Sequence, residues 1–369
     1  MKKIKHFDAF SGIGGFTKGL MDAFGEQYEN VGYSEKDKHA IANYRYNFPE
    51  HKNYGDITTI RPEELPDFDI FSGGFPCQTF SLAGKRQGFE DARGTMFFEI
   101  IRICEKKKPR ILLLENVKGL LNHDSGRTFA TVYRLLNHIG YTVEFQLCNT
   151  SWILPQNRER IYIVGHLAEQ GRSFSGVFPF TESDFVYNKR VPDSQKVYEN
   201  SLTITAKGVG NNTGSFIKVL TRPHGFNKGA EVDISPCIKS NNFEHNNHLK
   251  IASATKQGYE IANHGDSVNF SVPNSLTRRG RVGKEIAQTI DTQCNQGVVD
   301  FESEDIIRRY TEIECEKLQG FSPDWTKYGN YDGTIKQIPK TQRYKMCGNA
   351  VTKDLPELIG RKLLKILNQ

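Results

Sequence analysis

Apolar residues gather in six short runs across positions 1–167: "IKHFDAF", "NVGYSE", "FDIFSGG", "RILLLENV", "TVEFQLCN" and "RIYIVGH". Runs of this length read as strands, and an unbroken one such as Ile111–Leu114 reads as a strand covered on both faces. Between them lie "GFTKGLMDAF", "KDKHAIANYRYNF", "MFFEIIRICEKKK" and "RTFATVYRLLNHI", whose apolar residues recur at helical spacing and predict helices with one buried face. This alternation predicts an α/β fold, a doubly wound, mostly parallel sheet with helices on both faces.

The pattern changes near Gly171. From Phe178 to Asp300 no helix-length periodicity remains, and Asn, Gly, Ser and Thr dominate. Four loosely similar segments, "SLTITAKGVGNN", "ISPCIKSNNFEHNN", "NSLTRRGRVG" and "AQTIDTQCNQG", each set a short β-prone run before a polar or basic loop. They predict a smaller domain of strands and loops. Helical patterning returns in "SEDIIRRYTEIECEKLQGF" and "KMCGNAVTKDLPELIGRKLLKIL". The chain therefore divides into 1–175, 176–305 and 306–369, the middle part being an insertion into one domain built from the outer two.

At 369 residues, 37% of them hydrophobic, the chain suits two domains with a substantial core. It has no signal-peptide-like start and no run of about 18 apolar residues, so a soluble, cytoplasmic protein is expected. The 7 cysteines lie far apart without a C-x-x-C pair, which argues against a disulfide framework or a metal site and for mostly buried thiols. The net charge of +6 permits a polyanion partner. In the inserted region Lys207, Lys239 and Arg278–Arg281 are interleaved with Asn and Gln. Such side chains contact phosphates and read base edges, or simply solvate a surface.

Candidate chemistry sits where the strands end. "DAFSGIGGF" joins the first strand to the first helix, and Gly12, Gly14 and Gly15 there allow a ligand close to the backbone at a helix N-terminus. Glu35, ending the second strand, suits the hydroxyls of a ribose. Asp56 in "YGDIT" is read as the end of a third strand, facing an adenine amino group, with a helix cap as its other reading. Cys77 follows Pro76 in "GFPCQTFS", and Glu115 ends "RILLLE". Adjacent ends of parallel strands share an edge, so these two residues are expected in one pocket. Arg158 and Arg160 in "QNRERIY" fall on one side of an extended segment.

In order and spacing, "DAFSGIGGF", "GFPCQTFS", "LLENV", "QNRERIY", "RRYTEIECEKLQGFSP" and "GNAV" resemble the motifs of the DNA cytosine-5 methyltransferases, bacterial or phage type. The resemblance covers 1–167 and 306–369, and the segment from 178 to about 300 falls where that family keeps its target-recognition domain. It implies the Rossmann-like fold of S-adenosylmethionine-dependent methyltransferases and a sequence-specific enzyme that flips its target cytosine out of duplex DNA. Cys77 would then attack C6, which makes C5 able to accept a methyl group from S-adenosyl-L-methionine. Glu115 would act as general acid at N3, and Arg158 and Arg160 would hold O2 and the nearby backbone or phosphate.

The same resemblance implies cofactor contacts at Phe10, Ser11, Gly12, Gly14, Glu35, Lys36, Asp56, Ile57, Pro76, Asn349 and Val351. It implies DNA contacts at Ser81, Lys85, Arg86, Arg93, Arg278, Arg279 and Arg281. The stretch "SLAGKRQGFEDARGTM", with Gly84, Gly88 and Gly94, is expected to close over DNA. Two positions depart from the pattern: Lys36 stands where many relatives carry an apolar or aromatic residue, and Ala83 where some carry serine. A monomer acting on double-stranded DNA is expected, with a cognate restriction endonuclease as the partner that a restriction-modification setting would supply. An RNA methyltransferase and a catalytically silent DNA-binding protein of the same fold are the alternatives.

Overall fold

The computed structural model describes residues 2–76, 96–168, 176–180, 217–220, 231–233, 248–272, 275, 277–300 and 307–368. Five strands, β1 (Ile4–Ala9), β2 (Tyr28–Ser34), β3 (Ile70–Gly74), β4 (Ile111–Val117) and β5 (Tyr141–Asn149), are followed by a two-residue β6 (Gln156–Asn157) and by β7 (Glu159–Leu167). All but β6 form one sheet, ordered β2-β1-β3-β4-β7-β5. Strands β1 to β4 are parallel, while β7 runs antiparallel to both β4 and β5.

Helices α1 (Gly15–Phe24), α2 (Lys38–Asn47), α3 (Met96–Lys107) and α4 (Arg127–His138) fall within the four amphipathic stretches. The chain ends in α5 (Glu312–Leu318), α6 (Lys340–Asn349) and α7 (Asp354–Leu367). Successive strand residues face opposite ways, and the core divides accordingly. Phe7, Phe71, Leu112, Leu114 and Ile163 pack with Phe97 and Ile100 of α3 and Val132 of α4. On the other face Ile70, Ile111, Leu113 and Val164 pack with Leu20 of α1 and Leu355, Ile359 and Leu363 of α7. Each such side chain contributes roughly 1.5–3 kcal/mol on burial. The return of the chain to the first domain is therefore an integral layer of the sheet.

The inserted region is built of strands; none of its described residues is helical. Strands β8 (Ile217–Leu220), β9 (Glu231–Asp233), β10 (His248–Ala252) and β11 (Tyr259–Ala262) form one antiparallel sheet. A second holds β12 (Ser267–Asn269), β13 (Val282–Gly283), β15 (Gln296–Val299) and β16 (Ile307–Arg309). Between β13 and β15, β14 (Ala287–Gln288) leaves these sheets and pairs in parallel with β6. The hairpin β17 (Tyr328–Tyr331) and β18 (Thr334–Gln337) is antiparallel, and Asn43 of α2 donates to the Tyr328 carbonyl at 3.0 Å.

Three expectations need correction. Helix does not begin at 306: Ile307–Arg309 is a strand on β15, and α5 starts only after Thr311, which forms a capping box with Glu314. The stretch 345–367 is two helices, because Ala350 is extended and Pro356 can be accommodated only in a helix's first turn. Finally, no strand precedes Asp56. Only an isolated bridge joins Tyr33 and Asn53, and Gly55 at φ 80° turns the chain away.

Candidate active site

The carboxyl ends of β1, β3 and β4 come together at one edge of the sheet. Gly74 is paired with Glu115, and a Cβ on Gly74 would stand 3.1 Å from Glu115 Oε2 and 3.5 Å from Val351 Cγ2. A Cβ on Gly73 would stand 3.5 Å from the Phe10 ring, and one on Gly15 would collide with the Val351 carbonyl oxygen. These glycines let the first loop, the end of β3 and the segment after α6 meet backbone to backbone. Asn116 Nδ2, buried, donates to the Phe75 carbonyl at 2.8 Å and holds the turn into Pro76. Sequence reasoning missed that role, although Asn116 directly follows Glu115. The loop it steadies leads to Cys77, which lies outside the described residues, as do Ser81, Lys85, Arg86, Arg93 and the glycines expected to act as hinges.

Five cysteines are described, Cys104, Cys148, Cys294, Cys315 and Cys347, and all are buried. Burial pushes the thiols of Cys104 and Cys347 well up and that of Cys148 to about 12. A thiol so held is a poor nucleophile, as expected of core residues. Among the described residues no cluster suits a metal ion.

Glu115 is the buried acid of this edge. Arg160 Nε meets its Oε1 at 2.9 Å. Burial pushes its carboxyl above the usual carboxylate range, while Arg160 and then Arg158 pull the other way. The result is a carboxyl ready to hold a proton beside a fixed cation, which suits general acid work. Arg158 acts on Glu115 through its charge, without an ion pair at contact distance. Buried and 3% exposed, it donates to the carbonyls of Ile290 at 3.4 Å, Gly348 at 3.3 Å and Ala350 at 2.8 Å. Its Nε has no partner among the described residues. Arg158 falls between β6 and β7, whereas Arg160 lies within β7.

The first loop has the features of an anion and nucleoside cradle. Phe10, Gly12 and Gly14 have φ of 53°, 54° and 88°. A Cβ on Gly12 would meet nothing within 4 Å, so its backbone borders open space. Ser11 Oγ is buried with no partner among the described residues. Glu35 is held in place by the amides of Gly12 at 2.9 Å and of Lys36 and Asp37 at 2.8 Å each. Asp56 is the cap of a short turn that begins at Ile57, accepting from Thr58 at 3.1 Å, and Lys36 Nζ lies 3.4 Å from it. The Thr58 amide leads the contacts that hold its carboxyl below the ordinary range. Asp56 therefore reaches this edge as a cap and not as a strand end. Ile57 is buried, whereas Pro76 and Asn349 are exposed.

Beneath the loop runs a buried polar row that the sequence did not disclose. Ser72 Oγ donates to Asp8 Oδ1 at 2.7 Å, Thr17 donates to Oδ2 at 2.8 Å, and His6 Nε2 lies 2.7 Å from Ser72 Oγ. Burial raises Asp8 to about 7 and lowers His6 to about 3.

In the inserted region Arg281 is wholly buried and donates to the carbonyls of Asn269, Ser271 and Val272 at 3.3, 3.0 and 2.6 Å. It is a clamp inside the domain, which corrects the expectation that it touches DNA. Arg279 is exposed and Arg278 half-buried.

A family model for C-5 cytosine-specific DNA methylases matches residues 4–365. The chain is 51% identical over 371 residues to the type II methyltransferase M1.ScrFI of Lactococcus lactis subsp. cremoris, covering 100% of this chain and 79% of that one. It is 47% identical over 168 residues to the orphan methyltransferase M.Rho11sI of Bacillus phage rho11s, a match that spans 45% of this chain and 33% of that one. Among solved structures, the Entamoeba histolytica methyltransferase EhMeth is similar over 100% of both chains, with a TM-score of 0.55 at 16% identity, a likeness of fold.

Proposed function

The chain belongs to the C-5 cytosine-specific DNA methylases, and from that premise we propose that it methylates C5 of a cytosine flipped out of a specific site in duplex DNA. S-adenosyl-L-methionine, when bound, supplies the electrophilic methyl group. The first loop fits that cofactor on two counts: an unpartnered buried Ser11 Oγ and open space at the left-handed Gly12. Phe10, Ser11, Gly12, Gly14 and Val351 would line it, Glu35 would accept the ribose hydroxyls, and Lys36, Asp56 and Ile57 would bound the adenine.

The observation that carries the reading is the Glu115–Arg160 pair at 2.9 Å on the edge shared with that loop. Cytosine C5 is a weak nucleophile. A thiolate from Cys77 adding to C6 makes C5 electron-rich, and protonation of N3 by Glu115 makes the addition favourable. Arg160 orients Glu115 and the base. After transfer, loss of the C5 proton to a base, for which water is our assignment, expels Cys77. Residues 176–305 form the target-recognition domain, with Arg278 and Arg279 facing phosphates or bases. We infer a cytoplasmic monomer acting on duplex DNA.

Labelled methyl transfer from S-adenosyl-L-methionine to unmethylated duplex DNA and to tRNA tests this directly. Label is expected in DNA cytosine and absent from tRNA, with Cys77→Ser losing turnover while DNA binding persists. Label in tRNA alone, or appreciable turnover by Cys77→Ser, overturns the reading. Bisulfite mapping of a methylated random-sequence library then names the site.

A further inference from the structure

We propose that Arg158 is a positioning residue that couples the inserted domain to the wall of the cofactor site. The inference rests on the function proposed above. The guanidinium touches two segments far from its own in sequence: Ile290 O at 3.4 Å in the inserted domain, and Gly348 O at 3.3 Å with Ala350 O at 2.8 Å after α6. Ala350 leads directly into Val351, whose carbonyl oxygen bars any side chain at Gly15 and whose Cγ2 borders Gly74. In the other direction, Arg158 stands two residues before Arg160, the partner of Glu115.

The surroundings reinforce this three-way joint. Gln156, wholly buried, accepts from the Ile290 amide at 3.2 Å and donates to Leu318 O at 2.6 Å. Thr289 Oγ1 donates to Asn157 O at 2.9 Å. A Cβ on Gly348 would stand 2.6 Å from the carbonyl of Asp291, so the segment after β14 lies directly on the α6 end.

A buried guanidinium is costly where an apolar side chain would fill the same space. No carboxylate among the described residues lies within ion-pair distance of Arg158. The carbonyls of two segments distant in sequence, together with the nearby charge of Glu115, offset that cost. A shift of Ile290 when the inserted domain takes up DNA therefore disturbs the bond to Ala350, and ordering of Val351 by cofactor is felt at Ile290. Coupling of this kind is reciprocal.

Amide hydrogen exchange with S-adenosylhomocysteine as the probe tests it without knowledge of the DNA site. In the parent protein the probe is expected to slow exchange at residues 10–15 and also across Ala287–Val299, the latter about tenfold, within the range usual for coupled sites. Arg158→Lys keeps the charge and loses the fork. It should retain the protection at 10–15 and lose it at 287–299. A purely structural role would instead raise exchange at 287–299 equally with and without the probe. Should Arg158→Lys not fold, Gly348→Ala, which pushes Asp291 away, must produce the same selective loss. Protection confined to residues 10–15 in the parent, or protection at both places in the variants, overturns the coupling. Absence of probe binding and of methyl transfer in the parent overturns the function itself.

Discussion

Glu115 follows four buried apolar residues, Ile111–Leu114, and it is this environment that makes it an acid. With its carboxyl raised by burial, the protonated form needed at N3 is lost as pH rises through that raised value. We expect kcat/KM to fall with pH at a point above the ordinary glutamate range. Glu115→Gln should remove that limb and reduce kcat by about 10²–10⁴; a pH–rate profile of both proteins checks this. Asp8 offers a test of stability in place of rate. Its carboxyl is raised to about 7, so its favourable contribution is complete below pH 4 and is lost as pH rises through 7, at about 1.4 kcal/mol per pH unit at most. Asp8→Asn should flatten the fall between pH 4 and 7, read from urea midpoints at pH 4, 6 and 8. Glu115 was legible because a carboxylate following an apolar strand has few innocent uses. Asp8 was not, since its partners Ser72 and Thr17 are 64 and 9 residues away.

Among the elements, the glycine-bearing turns do the most for function. Gly15 opens α1 against Val351, and Gly15→Ala would force a clash of backbone with methyl. A cost of about 1–3 kcal/mol should fall on the first loop. We expect a raised KM for S-adenosylmethionine with a lesser change in the KM for DNA, measurable by initial rates. The start of α5 is set by one hydroxyl: Thr311 accepts from the Glu314 amide, and Glu314 reaches back to the Thr311 amide. Thr311→Ala should cost about 0.5–2 kcal/mol, seen as a lower Tm with KM unchanged. The strands and long helices of the first domain were legible from periodicity. The strand at 307–309 was not, because three residues are too few for a period and its identity depends on β15 lying alongside.

For the whole molecule, the net charge of +6 suits a polyanion, and we expect DNA binding to weaken with salt, with the exposed Arg279 as one contact. Removing one exposed phosphate contact should lower the salt slope by about 1. Arg279→Ala is expected to do this with Tm intact, whereas Arg281→Met should lower Tm and leave the slope, since it withdraws three bonds from the segment Asn269–Val272. Anisotropy titrations of a labelled unmethylated duplex over a salt series, with thermal melts, separate the two. By itself the sequence determined the α/β order, the loop glycines and the strand-end places of Glu35 and Glu115, because strand length, turn chemistry and strand-end residues are local signals. Only the tertiary structure decided which arginines are engaged inside and how β6 meets β14. It also decided that Arg158 joins Ile290 to Ala350. For Arg158 and β6 those roles depend on the packing of segments more than a hundred residues apart, and for Arg281 on a fold that brings carbonyls 9 to 12 residues away around one side chain.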